Sequence, residues 1–145
     1  MDEILSGLRD KDEKAAYEFA KQISSESSAS DKYLNLIPSF AGMLQDKSAY
    51  VRTRAFLLIC SQARWANDGQ IEAVFNRMLP LLNDPKPTVT RQCLKALHEV
   101  VLFRPELSDK IENALVEIDL GKYKDSMSPL IGKDIEALRK LLCER

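Results

Sequence analysis

Hydrophobic residues recur at intervals of three and four positions along almost the whole chain, and no alternating stretch is long enough to suggest a strand. This spacing gathers apolar side chains on one side of an α-helix. The pattern therefore predicts an all-α fold. After a short segment near the N-terminus, we expect helices over about residues 12–25, 30–44, 48–64, 67–82, 88–103, 108–118 and 131–142.

The hydrophobic pattern also repeats, because a Leu-x-Asp turn followed by a helix with evenly spaced apolar residues occurs three times. Neighbouring copies are 36 and 38 residues apart, and such a period is typical of an α-α superhelix of stacked helix pairs. We expect a single domain over 1–145, with units of approximately 1–27, 28–66, 67–105 and 106–145. The three helices carry Ala15, Phe19 and Ile23; Val51, Ala55 and Ile59; and Val89, Cys93 and Leu97.

Local signals indicate where these helices begin and bend. Pro38 lies inside the predicted helix over 30–44 and is expected to kink it. Asn67 and Gln70, three residues apart, resemble a capping pair at the start of another helix. Hydroxyl side chains at the remaining predicted starts are expected to be N-caps, and these are Ser30, Ser48, Thr88 and Ser108.

The turns and helices together resemble the HEAT-repeat family over nearly the whole chain. The resemblance is best in 44–59 and 82–97, where Asp46 and Arg52 match an aspartate in the turn and an arginine at the start of the second helix. In that family the pair is thought to form a ladder between units. The third unit departs, with Thr90 at the arginine position and Arg91 after it. The chain is similar in size to small stand-alone bacterial HEAT proteins, so the resemblance implies an architecture rather than an activity.

Composition and charge narrow the classes of function. Hydrophobic residues at 45% and charged residues at 30% describe an ordinary soluble protein, and a formal net charge of −1 gives no overall reason to expect polyanion binding. The N-terminus is acidic, unlike a secretory signal, and no apolar run approaches the ~20 residues that cross a bilayer. We therefore expect a cytoplasmic protein without membrane contact.

The three cysteines and the one histidine offer little material for chemistry. Cys60, Cys93 and Cys143 lie far apart and include no Cys-x-x-Cys pair, so we expect reduced structural thiols and neither metal nor cofactor. A dyad of Cys60 and His98 is conceivable because both occupy equivalent places on successive helices. No orienting acid or oxyanion site accompanies it. We therefore expect no enzymatic activity.

Aromatic and acidic residues near the helix ends have structural interpretations. Trp65, Tyr50 and Phe103 lie at ends of second helices, where we expect them to cover the core rather than to stack on a ligand. Asp46 and Asp84 lie in the repeat turns. An aspartate in such a turn is expected to accept hydrogen bonds from backbone amides.

The HEAT resemblance implies that the second helices line a concave side, which a partner would meet. A count of 100° per residue from the buried positions Ala15, Val51, Val89 and Ile131 identifies the opposite sector of each helix. That sector holds six lysines or arginines, although the chain is close to neutral. The predicted concave stripe comprises Tyr17, Lys21, Thr53, Phe56, Arg64, Arg91, Lys95, His98, Lys133 and Lys140, with Cys60 in the same sector.

Three interpretations of this stripe stay open at the level of sequence. Long basic side chains are ordinary on solvated helix faces, so the stripe is explained equally by solubility. As a binding surface, its cations beside Tyr17 and Phe56 favour an acidic protein segment. Nucleic acid is the alternative partner, and it would bind weakly because the cations are few.

Overall fold

The structure is a computed structural model that describes residues 2–67 and 69–144. These residues form eight α-helices and no β-strand, which confirms the predicted all-α fold. The helices are α1 (Asp2–Leu8), α2 (Glu13–Ser27), α3 (Ile37–Ala41), α4 (Ala49–Cys60), α5 (Gln70–Met78), α6 (Pro87–Phe103), α7 (Ser108–Val116) and α8 (Ser128–Cys143). Short 3₁₀ helices cover Leu34–Leu36, Leu79–Asn83, Pro105–Leu107 and Leu120–Lys122.

The even-numbered helices pack side by side in chain order, with α2 against α4, α4 against α6 and α6 against α8. Three of the shorter helices pack on them, since α1 contacts α2, α3 contacts α4 and α7 contacts α8. Helix α5 packs on α3 and on the 3₁₀ helix over Leu79–Asn83, which in turn contacts α6. One continuous hydrophobic core fills the space between these elements. Helix α4 is therefore enclosed by α2, α3 and α6, and most of its circumference is buried.

The predicted helix over 30–44 is wrong as a continuous element. A 3₁₀ helix over Leu34–Leu36 leads into the short α3, and Pro38 lies in the first turn of α3. Proline is tolerated there because amides of a first turn have no partner within the helix. Ser30 does not cap a helix either, since its hydroxyl accepts a 3.2 Å bond from the amide of Lys32 within a turn.

Two expectations about the repeat turns are confirmed. The hydroxyl of Ser48 accepts the amide of Val51 at 3.3 Å and so caps α4. The carboxylate of Asp46 accepts the amide of Ser48 at 2.9 Å, and the carboxylate of Asp84 accepts the amide of Lys86 at 3.0 Å. These aspartates are structural parts of the turns.

The other predicted caps are wrong. Helix α6 begins at Pro87, one residue before Thr88, and helix α7 begins at Ser108 itself. Neither helix has a side-chain cap. Helix α5 is preceded by Gly69 rather than capped by Asn67, and Gly69 has a φ of +77°. Glycine adopts this left-handed conformation without the steric cost that a Cβ imposes.

Arginine–aspartate ion pairs link each predicted unit to the next. Arg52 of α4 forms a bidentate pair with Asp84, which lies in the turn before α6. Arg91 of α6 forms a second bidentate pair with Asp134 of α8. The N–O distances are 3.4 Å for Arg9 and Asp46, 3.0 Å for Arg52 and Asp84, and 2.7 Å for Arg91 and Asp134.

Thr90, which occupies the arginine position of the third unit, has a different set of partners. Its hydroxyl donates to the carbonyl of Leu81 at 3.2 Å and lies 3.0 Å from the hydroxyl of Tyr123. The hydroxyl of Tyr123 donates in turn to the carbonyl of Asp84 at 2.7 Å. A neutral, buried network therefore takes the place that an arginine holds in α4.

Within the described part of the chain, every helix is too short or too polar to traverse a lipid bilayer.

Candidate binding groove

A groove of about 980 Å³ lies between α2, α4 and the start of α6. We call it the α2/α4/α6 groove. Helix α2 contributes Tyr17 and Lys21, α4 contributes Tyr50 and Thr53, and Thr88 is among the residues from α6. This volume is at the upper end of the range of about 300–1,000 Å³ that is typical of ligand pockets.

Two tyrosines supply the groove with exposed aromatic surface. Tyr17 is 56% exposed and Tyr50 is 63% exposed. The ammonium of Lys21 lies 5.3 Å from the ring centre of Tyr17, and the guanidinium of Arg54 lies 5.7 Å from that of Tyr50. The expectation that Tyr50 covers the core is therefore wrong, because its ring stands in the groove.

The charges that line the groove are mostly positive. Lys14, Lys21 and Lys86 are exposed, and none of them forms an ion pair with any residue that the structure describes. Among the groove residues in the described ranges, Glu13 is the one acid. Its carboxylate forms an ion pair with Arg54, so the free charge facing the groove is cationic.

Arg54 forms part of the groove floor, since only 8% of its side chain is exposed. One guanidinium nitrogen donates to the carbonyl of Leu8 at 2.9 Å, and another donates to the carboxylate of Glu13. Leu8 is the last residue of α1 and is fully buried. Arg54 therefore ties the end of α1 to α4 below the groove.

The structure brings three residues of the predicted concave stripe together in this groove, namely Tyr17, Lys21 and Thr53. Phe56 and Cys60, which the helical count placed in the same sector, are each only 1% exposed. Their placement on an open face is wrong because α4 packs against helices on several sides. A single buried stripe, which the count assumes, describes a helix at a surface.

The remaining stripe residues lie outside the α2/α4/α6 groove. Arg91 is bound to Asp134, and that hydrogen bond raises the pKa of the guanidinium. Arg64 stacks over the ring of Phe103 at 4.7 Å and lies 3.8 Å from Glu99. The others are exposed or half-buried and form no ion pair within the described ranges, and these are Lys95, His98, Lys133 and Lys140.

The arrangement gives little support to chemistry at Cys60. Burial raises the pKa of the Cys60 thiol well above its ordinary value, with a smaller contribution from Glu99. The thiol is therefore protonated at neutral pH, whereas a nucleophilic cysteine needs a lowered pKa. His98 is half-buried on α6. In the ranges 2–67 and 69–144, no group of three or more His, Cys, Asp or Glu side chains is arranged to hold a metal ion.

Sequence reasoning missed several groove residues. On α2, Tyr17 and Lys21 follow Lys14 by three and seven residues, which places all three on one helix face. The sequence could therefore have predicted Lys14 as a neighbour of the other two. Lys86 precedes α6 in the turn, outside any helical count. Arg54 is a charged residue in a buried row of α4, and only the tertiary contacts identify its place.

Comparison with known proteins adds no relative, because no family model, no curated protein and no solved structure matches this chain.

Proposed function

We propose that this protein is a non-enzymatic interaction module, built as a HEAT-type solenoid, that binds an acidic segment of a partner protein in the α2/α4/α6 groove. One observation carries the proposal. The groove combines exposed Tyr17 and Tyr50 with three lysines that have no ion pair among the described residues. An aromatic surface surrounded by uncompensated positive charge is complementary to a peptide of apolar and acidic residues.

Two regularities support the solenoid architecture. The even-numbered helices pack in chain order, and an arginine–aspartate pair connects each unit with the next. Helix pairs that stack in one direction produce an extended surface instead of a closed pocket. A groove that spans three successive even-numbered helices is the kind of site that such a surface provides.

The size of the groove sets the length of the ligand. Neighbouring helices pack about 8–10 Å apart, so the path from α2 across α4 to α6 covers roughly 20 Å. An extended chain rises at most about 3.3–3.6 Å per residue, so about six residues span this path. We expect a short linear segment in which acidic residues flank one or two apolar side chains.

A peptide is favoured over nucleic acid by the number and setting of the cations. Each neutralised phosphate of duplex DNA contributes about −0.9 to the slope of log affinity against log salt. Three lysines therefore give weak binding that salt removes. The two tyrosines add apolar contact area that does not depend on salt, and an acidic peptide uses both features.

The test is a fluorescence anisotropy titration with a labelled peptide of about ten residues made of glutamate, leucine and alanine. A matched peptide carries glutamine at each glutamate, and a short DNA duplex represents nucleic acid. We expect saturable binding of the acidic peptide and at least about tenfold weaker binding of the glutamine peptide. Tighter binding of the duplex than of the acidic peptide, or no saturation by the peptide below about 1 mM, would overturn the proposal.

Two triple variants locate the site. Lys14→Glu/Lys21→Glu/Lys86→Glu reverses the free charge of the groove and is expected to weaken peptide binding at least about tenfold. Lys95→Glu/Lys133→Glu/Lys140→Glu makes the same change in net charge outside the groove and is expected to weaken it by about twofold or less. All six lysines are exposed, so both variants should retain the wild-type circular dichroism spectrum. Equal weakening by the two triples would show that charge alone, and not the groove, governs binding.

A further inference from the structure

The groove floor contains a cation of a different kind from the lysines on its rim. Arg54 is almost completely enclosed, with 8% of its side chain exposed, whereas its partner Glu13 is 46% exposed. A guanidinium has five N–H donors in a planar fork that matches a carboxylate. In Arg54, Leu8 and Glu13 each accept from one terminal nitrogen.

A buried guanidinium needs an anion, because leaving such a charge unpaired is costly. Glu13 provides that anion in the free protein from the first turn of α2. The fold does not need the Glu13 carboxylate to cap the helix, since Asp12 accepts the amides of Lys14 and Ala15 at 3.1 and 3.2 Å. Glu13 is therefore able to leave Arg54 without uncapping α2.

We propose that Arg54 is the carboxylate-binding residue of the groove and that Glu13 is an internal competitor, which an acidic side chain of the ligand displaces. This inference rests on the proposed function, because it assigns a specificity-determining contact within the same groove. The bond to the carbonyl of Leu8 holds the guanidinium in place when Glu13 departs. The ring of Tyr50 beside the guanidinium offers an apolar surface next to the anion site.

This assignment has a consequence for selectivity. The lysines on the rim attract any anion as point charges, whereas the fork of Arg54 at the floor selects a planar carboxylate that reaches it. A peptide with one glutamate or aspartate directed to the floor is thereby distinguished from one whose charges lie only along the rim. Glu13 sets a threshold, since weak anions do not displace it.

Glu13→Gln tests the competition, because it removes the internal anion with little change in shape. We expect the acidic peptide described above to bind about fivefold more tightly to this variant, and the glutamine peptide to bind as it does to the wild type. Glu18→Gln is the matched control. Glu18 is exposed on the same helix and does not line the groove, so its removal changes net charge equally and is expected to change affinity by less than about twofold.

The gain must also depend on Arg54. We expect Glu13→Gln to give no increase in affinity when it is combined with Arg54→Gln. Circular dichroism establishes whether Arg54→Gln folds. If it does not, Arg54→Lys keeps a positive charge without the fork, and the gain is expected to shrink to about twofold or less. In the wild type, the Nε–H resonance of Arg54 is expected to shift on peptide addition.

The remaining outcomes decide against the inference. Weaker binding by Glu13→Gln would mean that Glu13 supports the site, and an equal gain in Glu18→Gln would mean that net charge alone is responsible. In both cases the proposed function stands, because it depends on wild-type binding and on the lysine triple. Failure of the wild type to bind the acidic peptide would overturn both.

Discussion

Two neighbouring helices carry the same two residue types in opposite order. Helix α4 has Arg52-Thr53, and α6 has Thr90-Arg91 at the equivalent positions 38 residues later. In α4 the arginine binds the turn aspartate Asp84 and the threonine lines the groove. In α6 the threonine takes the turn-facing place, while the arginine binds Asp134 of α8.

The order of these two residues decides which aspartate the arginine binds, and the surfaces beside the two helices differ as well. In α4 the arginine comes first and forms an ion pair with Asp84 in the turn before α6. The groove beside Thr53 has exposed tyrosines and lysines without ion pairs to any described residue. With arginine in the second place, an ion pair joins α6 to α8. The same two residue types therefore make different contacts in the two helices.

The buried side chains of α4 and α6 are expected to contribute similarly to stability, and replacing them gives the largest expected loss in the free energy of unfolding. Phe56 of α4 and Leu94 of α6 are equivalent positions and are 1% and 0% exposed. We expect Phe56→Ala to lower the free energy of unfolding by about 3–5 kcal/mol and Leu94→Ala by about 2–5 kcal/mol. Urea denaturation measures both. A loss below about 0.5 kcal/mol for Phe56→Ala would instead indicate the open concave position that the helical count predicts.

The two arginines should differ in their effect on stability, which is the next largest. Arg52 donates to both Asp84 oxygens and to the carbonyls of Asp46 and Lys47, whereas Arg91 binds only Asp134 within the described ranges. We expect Arg52→Ala to cost about 3 kcal/mol and Arg91→Ala about 1 kcal/mol. Urea denaturation at neutral pH compares them directly. Equal losses would mean that the order of arginine and threonine in the two helices has no influence on stability.

The smallest effect concerns the far ends of the same helices, where Ser61 after α4 is equivalent to Glu99 of α6. Burial raises the pKa of Glu99 above its ordinary value of 4.5, and Arg64 lowers it in part. The folded state therefore binds this proton more tightly than the unfolded state, so stability falls as pH rises from 4.5 through the raised pKa.

Glu99→Gln removes this dependence and leaves the rest of the pH profile intact. The free energy of unfolding of the variant minus that of the wild type is expected to be larger at neutral pH than at pH 4.5. Denaturation curves at the two pH values provide the measurement. A relative stability that moves in the opposite direction would show that the ion pair with Arg64 dominates over burial.

Helical class and turn chemistry were readable from sequence because both depend on local interactions. The apolar spacing predicted the helices, and Ser48, Asp46 and Asp84 perform the backbone contacts expected of them. The predicted helix over 30–44 failed because Pro38 lies in the first turn of a short helix rather than in the middle of a long one.

The groove was only partly predictable because it depends on which helices pack together. Tyr17, Lys21 and Thr53 were identified from the exposed face of each helix, and they do line the groove. Phe56 was misplaced because α4 is covered on several sides. The pairing of Arg54 with Glu13 joins residues 41 positions apart, and no local pattern reveals such a contact.

The side chain of Trp65 gives this fold an intrinsic optical reporter. It is the one tryptophan of the chain, and its indole Nε1 donates to the carbonyl of Ser27 at the end of α2 with a distance of 2.6 Å. Its emission therefore senses whether α2 is docked beside α4, while far-ultraviolet circular dichroism senses all helices together. Coincident transitions would show that the α2 side of the groove unfolds with the rest of the protein, and an earlier change in emission would show that this wall opens first.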